Sequence, residues 1–190
     1  MATKAKKKSR SKSSGPKKSQ YDSLHDLFIL KLRSLYDIEQ EITKALPKMA
    51  KAATNPELRD AFTMHLEETR NQAARLERAF EILGVPAKKE KVEAIRGLAK
   101  DTEWCIKNVK NREARDAVLV ASAQFVEHYE IAGYGTALAW SELMGHTEVT
   151  DLLQETLDEE SATDEKLSGL AETKINTEVP SGMSGQRENE

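Results

Sequence analysis

Apolar residues recur along this chain at alternating spacings of four and three, the period of a helix face packed inside a bundle. The first such stripe runs Phe28, Leu32, Leu35, Ile42, Leu46, Met49, and the second Leu58, Phe62, Leu76, Ala79, Leu83. The third contains Val120, Ala123 and Ala137, and the fourth Val149, Leu153, Leu167 and Leu170. Four amphipathic helices follow from the pattern alone.

Their limits are written in cap chemistry. Asn55-Pro56-Glu57 puts a capping side chain before a proline at the first helical position, where a missing N–H costs nothing. Leu83-Gly84-Val85-Pro86 supplies a glycine for a left-handed stop and a proline that cannot continue the turn. The predicted long helices span about 22–53, 56–83, 112–144 and 148–173, with Gly145 ending the third. Between the second and third lies a long link, 85–111, with Val92, Ile95, Leu98 and Ile106 at helical spacing, so it contains a shorter helix of its own. Short first and last connections make antiparallel hairpins, and the long link can cross the bundle, as it does in ferritin-like folds.

Composition agrees with this reading. At 190 residues the chain is one ordinary domain with tails, and 38% hydrophobic against 32% charged residues, with few glycines, prolines and aromatics, favours helices over sheets. The expected class is all-α, an antiparallel four-helix bundle with one extra helix in the crossover.

Residues 1–20 contain eight Lys and Arg and no acid, so subtracting them from the net charge of -3 leaves about -11 on the rest. This stretch and residues 176–190, rich in Ser, Gly and Pro, read as disordered tails flanking a folded domain at 21–175. No apolar run is long enough for a membrane span and no secretory signal is evident, so a cytoplasmic protein is expected. The single cysteine, Cys105, excludes an internal disulfide framework and a cysteine-built zinc site.

Each stripe is broken halfway along by polar residues. Glu39 interrupts the first; His65, Thr69 and Gln72, with Glu68 on the same face, interrupt the second; Glu127 and Glu130 interrupt the third; Thr156, Glu160 and either Thr163 or Asp164 interrupt the fourth. A buried carboxylate costs several kcal/mol, order of magnitude, unless it is protonated, paired or bound to a metal. Four interruptions ask for one explanation.

Counting from the short turns tests whether they share a height. Glu39 lies fifteen residues before Thr54 and Glu68 fourteen after. Around His146, Glu130 lies sixteen before and Glu160 fourteen after, while Glu127 and Asp164 lie nineteen before and eighteen after. Carboxylates with one imidazole and almost no basic partners suit two divalent cations, iron or manganese. The candidate ligands are Glu39, His65, Glu68, Glu127, Glu130, Glu160 and Asp164. Tyr134, one turn past Glu130, reads as core filler or as support for the acids, while His25, His128 and His146 sit off the stripes.

The stretches LYDIEQEITKALPKMAKAATNPEL, HLEETRNQAARLE, VEHYEIAGYGTALAW and LLQETLDEESATDEKL resemble the YciE/YciF family of ferritin-like, stress-associated proteins. The resemblance implies a ferritin-like fold, a homodimer, a di-iron or similar site, and a ferroxidase or oxidative-stress role. One departure stands out. Ferritin-like sites usually take Glu-x-x-His from two helices, but here Glu68 is followed three residues on by Asn71 and Glu160 by Thr163. His65 and Asp164 are the residues placed to fill those vacancies. A second class of function, non-specific DNA binding, is expected from the Lys-rich tail.

Overall fold

The computed structural model describes residues 21–181. The basic segment 1–20 and residues 182–190 of the expected C-terminal tail lie outside them. Among the described residues there are helices and no strands, and none of the helices is long and apolar enough to cross a membrane.

Four long helices, α1 (Leu24–Ala52), α2 (Pro56–Ile82), α4 (Arg112–Met144) and α5 (Thr147–Leu170), form the bundle, and α3 (Glu93–Asn108) lies in the link between α2 and α4. The end of α5 continues through a π-helical turn, Ala171–Ile175, into Asn176–Glu178, so helical backbone passes position 175 by three residues.

The caps work as their chemistry dictates. Ser23 and Asp26 form a reciprocal capping box at the start of α1, and the Asn55 side chain accepts from the Glu57 and Leu58 N–H groups. Asn111 caps α4 by accepting from Ala114 N, and Gly145 ends it at φ 74°, a left-handed conformation that glycine adopts without a Cβ penalty. Helix α1 continues through Pro47.

Neighbouring pairs are α1 with α2, α2 with α5, α5 with α4 and α4 with α1, which closes a square around one core. Helix α3 packs outside it, against α1 and α4. It carries the chain from the end where α2 stops back to the end where α4 starts, the crossover expected from the length of the link.

Two buried acids pin this topology. Asp37 on α1 accepts from Val92 N and forms a two-pronged ion pair with Arg96, which fixes the start of α3. Asp116 on α4 accepts from the backbone N–H groups of Thr54 and Asn55 and from the Thr54 hydroxyl, which fixes the α1–α2 turn. At Gly133 α4 approaches α1 so closely that an added Cβ would sit 2.9 Å from Leu35 Cδ2.

Asp116→Ala strands two backbone donors in a site that is almost closed to water. Bonds of this kind to a charged acceptor contribute roughly 1.5–3 kcal/mol each, so the variant should lose about 3–6 kcal/mol for the two backbone bonds. Urea unfolding monitored by circular dichroism checks this; an unchanged midpoint would remove Asp116 as the anchor.

Candidate metal centre

Five of the mid-stripe polar residues come from helices whose apolar faces are committed to the core, which turns them into the bundle interior. Glu39 on α1, His65 on α2, Glu127 and Glu130 on α4 and Glu160 on α5 are each buried. His65, Glu127, Glu130 and Glu160 converge: each offers one ligand atom, and those atoms all lie within 4.8 Å of one another. Such a group could hold a metal ion. Glu39 is fully enclosed beside them, its Oε1 accepting from the Tyr134 hydroxyl.

Hydrogen bonding is conspicuously incomplete at this level of the bundle. Six buried carboxylate oxygens, Glu39 Oε2, Glu127 Oε2 and both oxygens of Glu130 and Glu160, have no hydrogen-bond partner. His65 Nε2 lies 3.2 Å from Glu127 Oε1 and Nδ1 lies 3.5 Å from Glu68 Oε2, approaches too poorly aligned to count as hydrogen bonds. Nearby arginines are engaged elsewhere. Arg75 binds Glu155 and Glu159, and Arg96 binds Asp37 and Glu41.

The electrostatics record the crowding. Burial pushes the Glu39 carboxyl up to about 7, against the lowering effects of the Tyr134 hydrogen bond and the His65 charge. Burial and then the neighbouring carboxylates drive Glu130 and Glu160 well above the usual range. Burial alone would push His65 down, but Glu127 and Glu68 beside it more than reverse this and hold it well above an ordinary imidazole. Tyr134, enclosed and facing Glu39 and Glu130, is pushed up and keeps its proton.

The other two candidates sit apart. Glu68 is at the rim, its side chain 40% exposed, where contact with His65 holds its carboxyl below the usual range. Asp164 faces Gln124 at 3.4 Å and the exposed His128 at 3.6 Å, in the outer part of the α4–α5 seam, and does not enter the cluster. Its height is the one that counting gives, because Gln124 and His128 bracket Glu127. Its direction is different. Thr69 turns back to its own helix through His65 O, and Gln72 donates to Glu159. Glu159 carries no signal in the stripes, since it joins this layer through Gln72 and Arg75 of another helix. His25 and His146 make an edge-on ring contact away from the site.

Solvent reaches the cluster from one side. A cavity of about 150 Å³ between α2 and α5 touches His65, Glu68 and Glu127, with the exposed Lys166 at its mouth. On the opposite side an almost wholly apolar void of about 30 Å³, walled by Ile42, Met49, Ile95 and Ala123, also touches His65 and Glu127.

Glu39, Glu130, Glu160 and His65 all hold their protons to higher pH in the folded than in the unfolded chain. Their contribution to stability is therefore complete below the unfolded carboxylate range, near 4.3, and is lost as pH rises through about 7 for Glu39 and higher for the others. In the presence of a chelator the protein should melt at lower temperature at pH 8 than at pH 5.5, and Glu130→Gln should flatten that slope. A melting temperature that rises across this window contradicts the arrangement.

Comparison with known proteins places these residues in context. The family model described as a domain of unknown function, DUF892, matches residues 23–180. Protein YciF of Escherichia coli (strain K12) is 42% identical over 155 residues, 81% of this chain and 93% of that protein. The crystal structure described as that of the E. coli stress protein YciF superposes with a TM-score of 0.78, covering 82% of this chain and 98% of that one. The structure of YcfI from Rhodopseudomonas palustris, also 42% identical, gives a TM-score of 0.78 over 80% of this chain and 96% of its own. A protein of Xanthomonas campestris pv. campestris, 22% identical with a TM-score of 0.63 over 79% of this chain and 92% of its own, shares the fold.

Proposed function

The chain belongs to the DUF892 family, and from that membership and the buried acid cluster we propose a carboxylate-bridged di-metal protein that binds two iron or manganese ions. The observation that carries this reading is the set of six buried carboxylate oxygens without a hydrogen-bond partner. Among the described residues, no Lys or Arg lies within ion-pair distance of these carboxylates, and His65 is the imidazole set beside them. Two divalent cations would offset the four enclosed carboxylates, and a donor set of many oxygens with one nitrogen suits iron or manganese.

His65, Glu127, Glu130 and Glu160 would hold the metal, with Glu39 supplying a carboxylate from α1 and Glu68 one at the rim. Iron bound there supplies one-electron redox chemistry, and iron(II) would itself be the substrate of a ferroxidase reaction consuming dioxygen or peroxide. The chain's own residues prepare the site for this. Tyr134 holds Glu39 in place and retains its proton, while the apolar wall of Ile42, Met49 and Ile95 excludes water from one flank. The cavity beside Lys166 admits small solutes from the other. A role in stress protection is the physiological setting suggested by the description of YciF as a stress protein.

Metal analysis of protein purified without chelators should find about two ions per chain, a stoichiometry typical of four-helix carboxylate sites. Aerobic addition of iron(II) to the metal-free protein should raise near-ultraviolet absorbance. Glu130→Gln and Glu160→Gln should abolish both signals while helical circular dichroism is retained; full metal content in both variants would sink the assignment.

A homodimer belongs to the same proposal. Helix α4 buries one face in the bundle yet also leaves Phe125 66% and Leu143 76% exposed, and a helix apolar on more than one face is suited to burial against a second copy. Sedimentation velocity should give twice the chain mass, falling to the monomer in Phe125→Glu; a monomeric parent protein excludes it.

A further inference from the structure

Several surface cations pair with adjacent acids, as in Lys44–Glu41, Arg70–Glu67, Arg78–Glu81 and Lys91–Glu93. One end of the bundle gathers cations that do not. Where α1 and α3 finish and α2 and α4 begin, a cleft of about 800 Å³ is lined by Lys48, Lys51, Arg59, Arg112 and Arg115 against a single carboxylate, Glu103.

Glu103 is taken by Lys48 at 2.6 Å. Among the described residues, Lys51, Arg59, Arg112 and Arg115 have no carboxylate within ion-pair distance. Arg59 is oriented by donating to Ala53 O at 3.2 Å, and Arg115 Nε is shielded from solvent with no hydrogen-bond partner. Three helices, α1, α2 and α4, thus bring unneutralised cations to one concave surface on a domain that is otherwise strongly acidic.

We infer that this cleft binds the phosphate backbone of nucleic acid. Guanidinium groups match phosphate oxygens in pairs, and several cations within one open groove can neutralise successive phosphates. The remaining lining is small, Ala52, Ala53, Thr54 and Ile106, with no amide side chain to read adenine and no aromatic to stack on a base, so the contact is dominated by backbone phosphates. The concave shape, and the lack of a large exposed apolar side chain among its lining residues, favour a strand over a lipid surface, which takes up convex faces with apolar residues that insert.

This cleft shares no residue with the candidate metal centre or with the Lys-rich segment 1–20.

Fluorescence anisotropy of a labelled mixed-sequence DNA duplex with the full chain, between about 50 and 200 mM KCl, tests the inference. Lys51→Gln/Arg112→Gln/Arg115→Gln should weaken binding by roughly tenfold at low salt and reduce the slope of log affinity against log salt by about three. Because Arg115 is partly enclosed, the exposed pair Lys51→Gln/Arg112→Gln is measured as well, with a slope reduction of about two. Glu103→Lys should tighten binding. Variants that keep the parent's affinity and salt slope, a parent chain that does not bind the duplex, or cleft-dependent retention on phosphatidylglycerol vesicles in place of DNA would each overturn it.

Discussion

Four carboxylates enclosed at one level of a helical bundle, with the His65 imidazole beside them and, among the described residues, no Lys or Arg within ion-pair distance, are the constraint around which this molecule is arranged. Taking even one carboxylate from water into a protein interior is unfavourable by several kcal/mol, order of magnitude, and Glu39, Glu127, Glu130 and Glu160 share a single enclosure. Their mutual repulsion and burial drive the carboxyls of Glu39, Glu130 and Glu160 upward. Bare, the site opposes the fold; loaded with divalent cations, it would reinforce it.

The rest of the structure holds that enclosure shut. Packed faces of Phe28, Leu32, Leu35 and Leu153 close it on one side along the axis, and Leu46, Phe62 and Val120 on the other. Asp116 ties the α1–α2 turn to α4, and Asp37 ties α3 across the α1–α4 edge, so two further buried acids serve architecture and have complete sets of donors. The contrast is informative. Where an acid in this protein is structural its oxygens are satisfied, and where it is in the cluster they are left open.

That contrast also separates the two electrostatic features proposed here. The candidate metal centre is acidic, buried and central; the cleft between Lys48 and Arg115 is basic, open and terminal. Binding of nucleic acid and chemistry at a metal could therefore coexist in one chain without sharing a residue.

The helices, their caps, the crossover and the mid-stripe acids were legible in the sequence because each depends on local rules: a period of 3.6, an Asn before Pro56, a glycine at 145, a polar residue where a stripe demands an apolar one. Counting residues from a turn gives height along a helix, which is why Glu130 and Glu160 meet. It does not give rotation about the axis, and rotation decided that Glu68 lies at the rim and that Asp164 faces Gln124 and His128. The Tyr134 hydrogen bond to Glu39 and the anchors at Asp37 and Asp116 join residues 55 or more positions apart, and the basic cleft gathers side chains from the ends of several helices. Periodicity is a property of one helix at a time; which side chain meets which across the bundle is set only when the four helices have packed and their ridges have fixed each other's orientation.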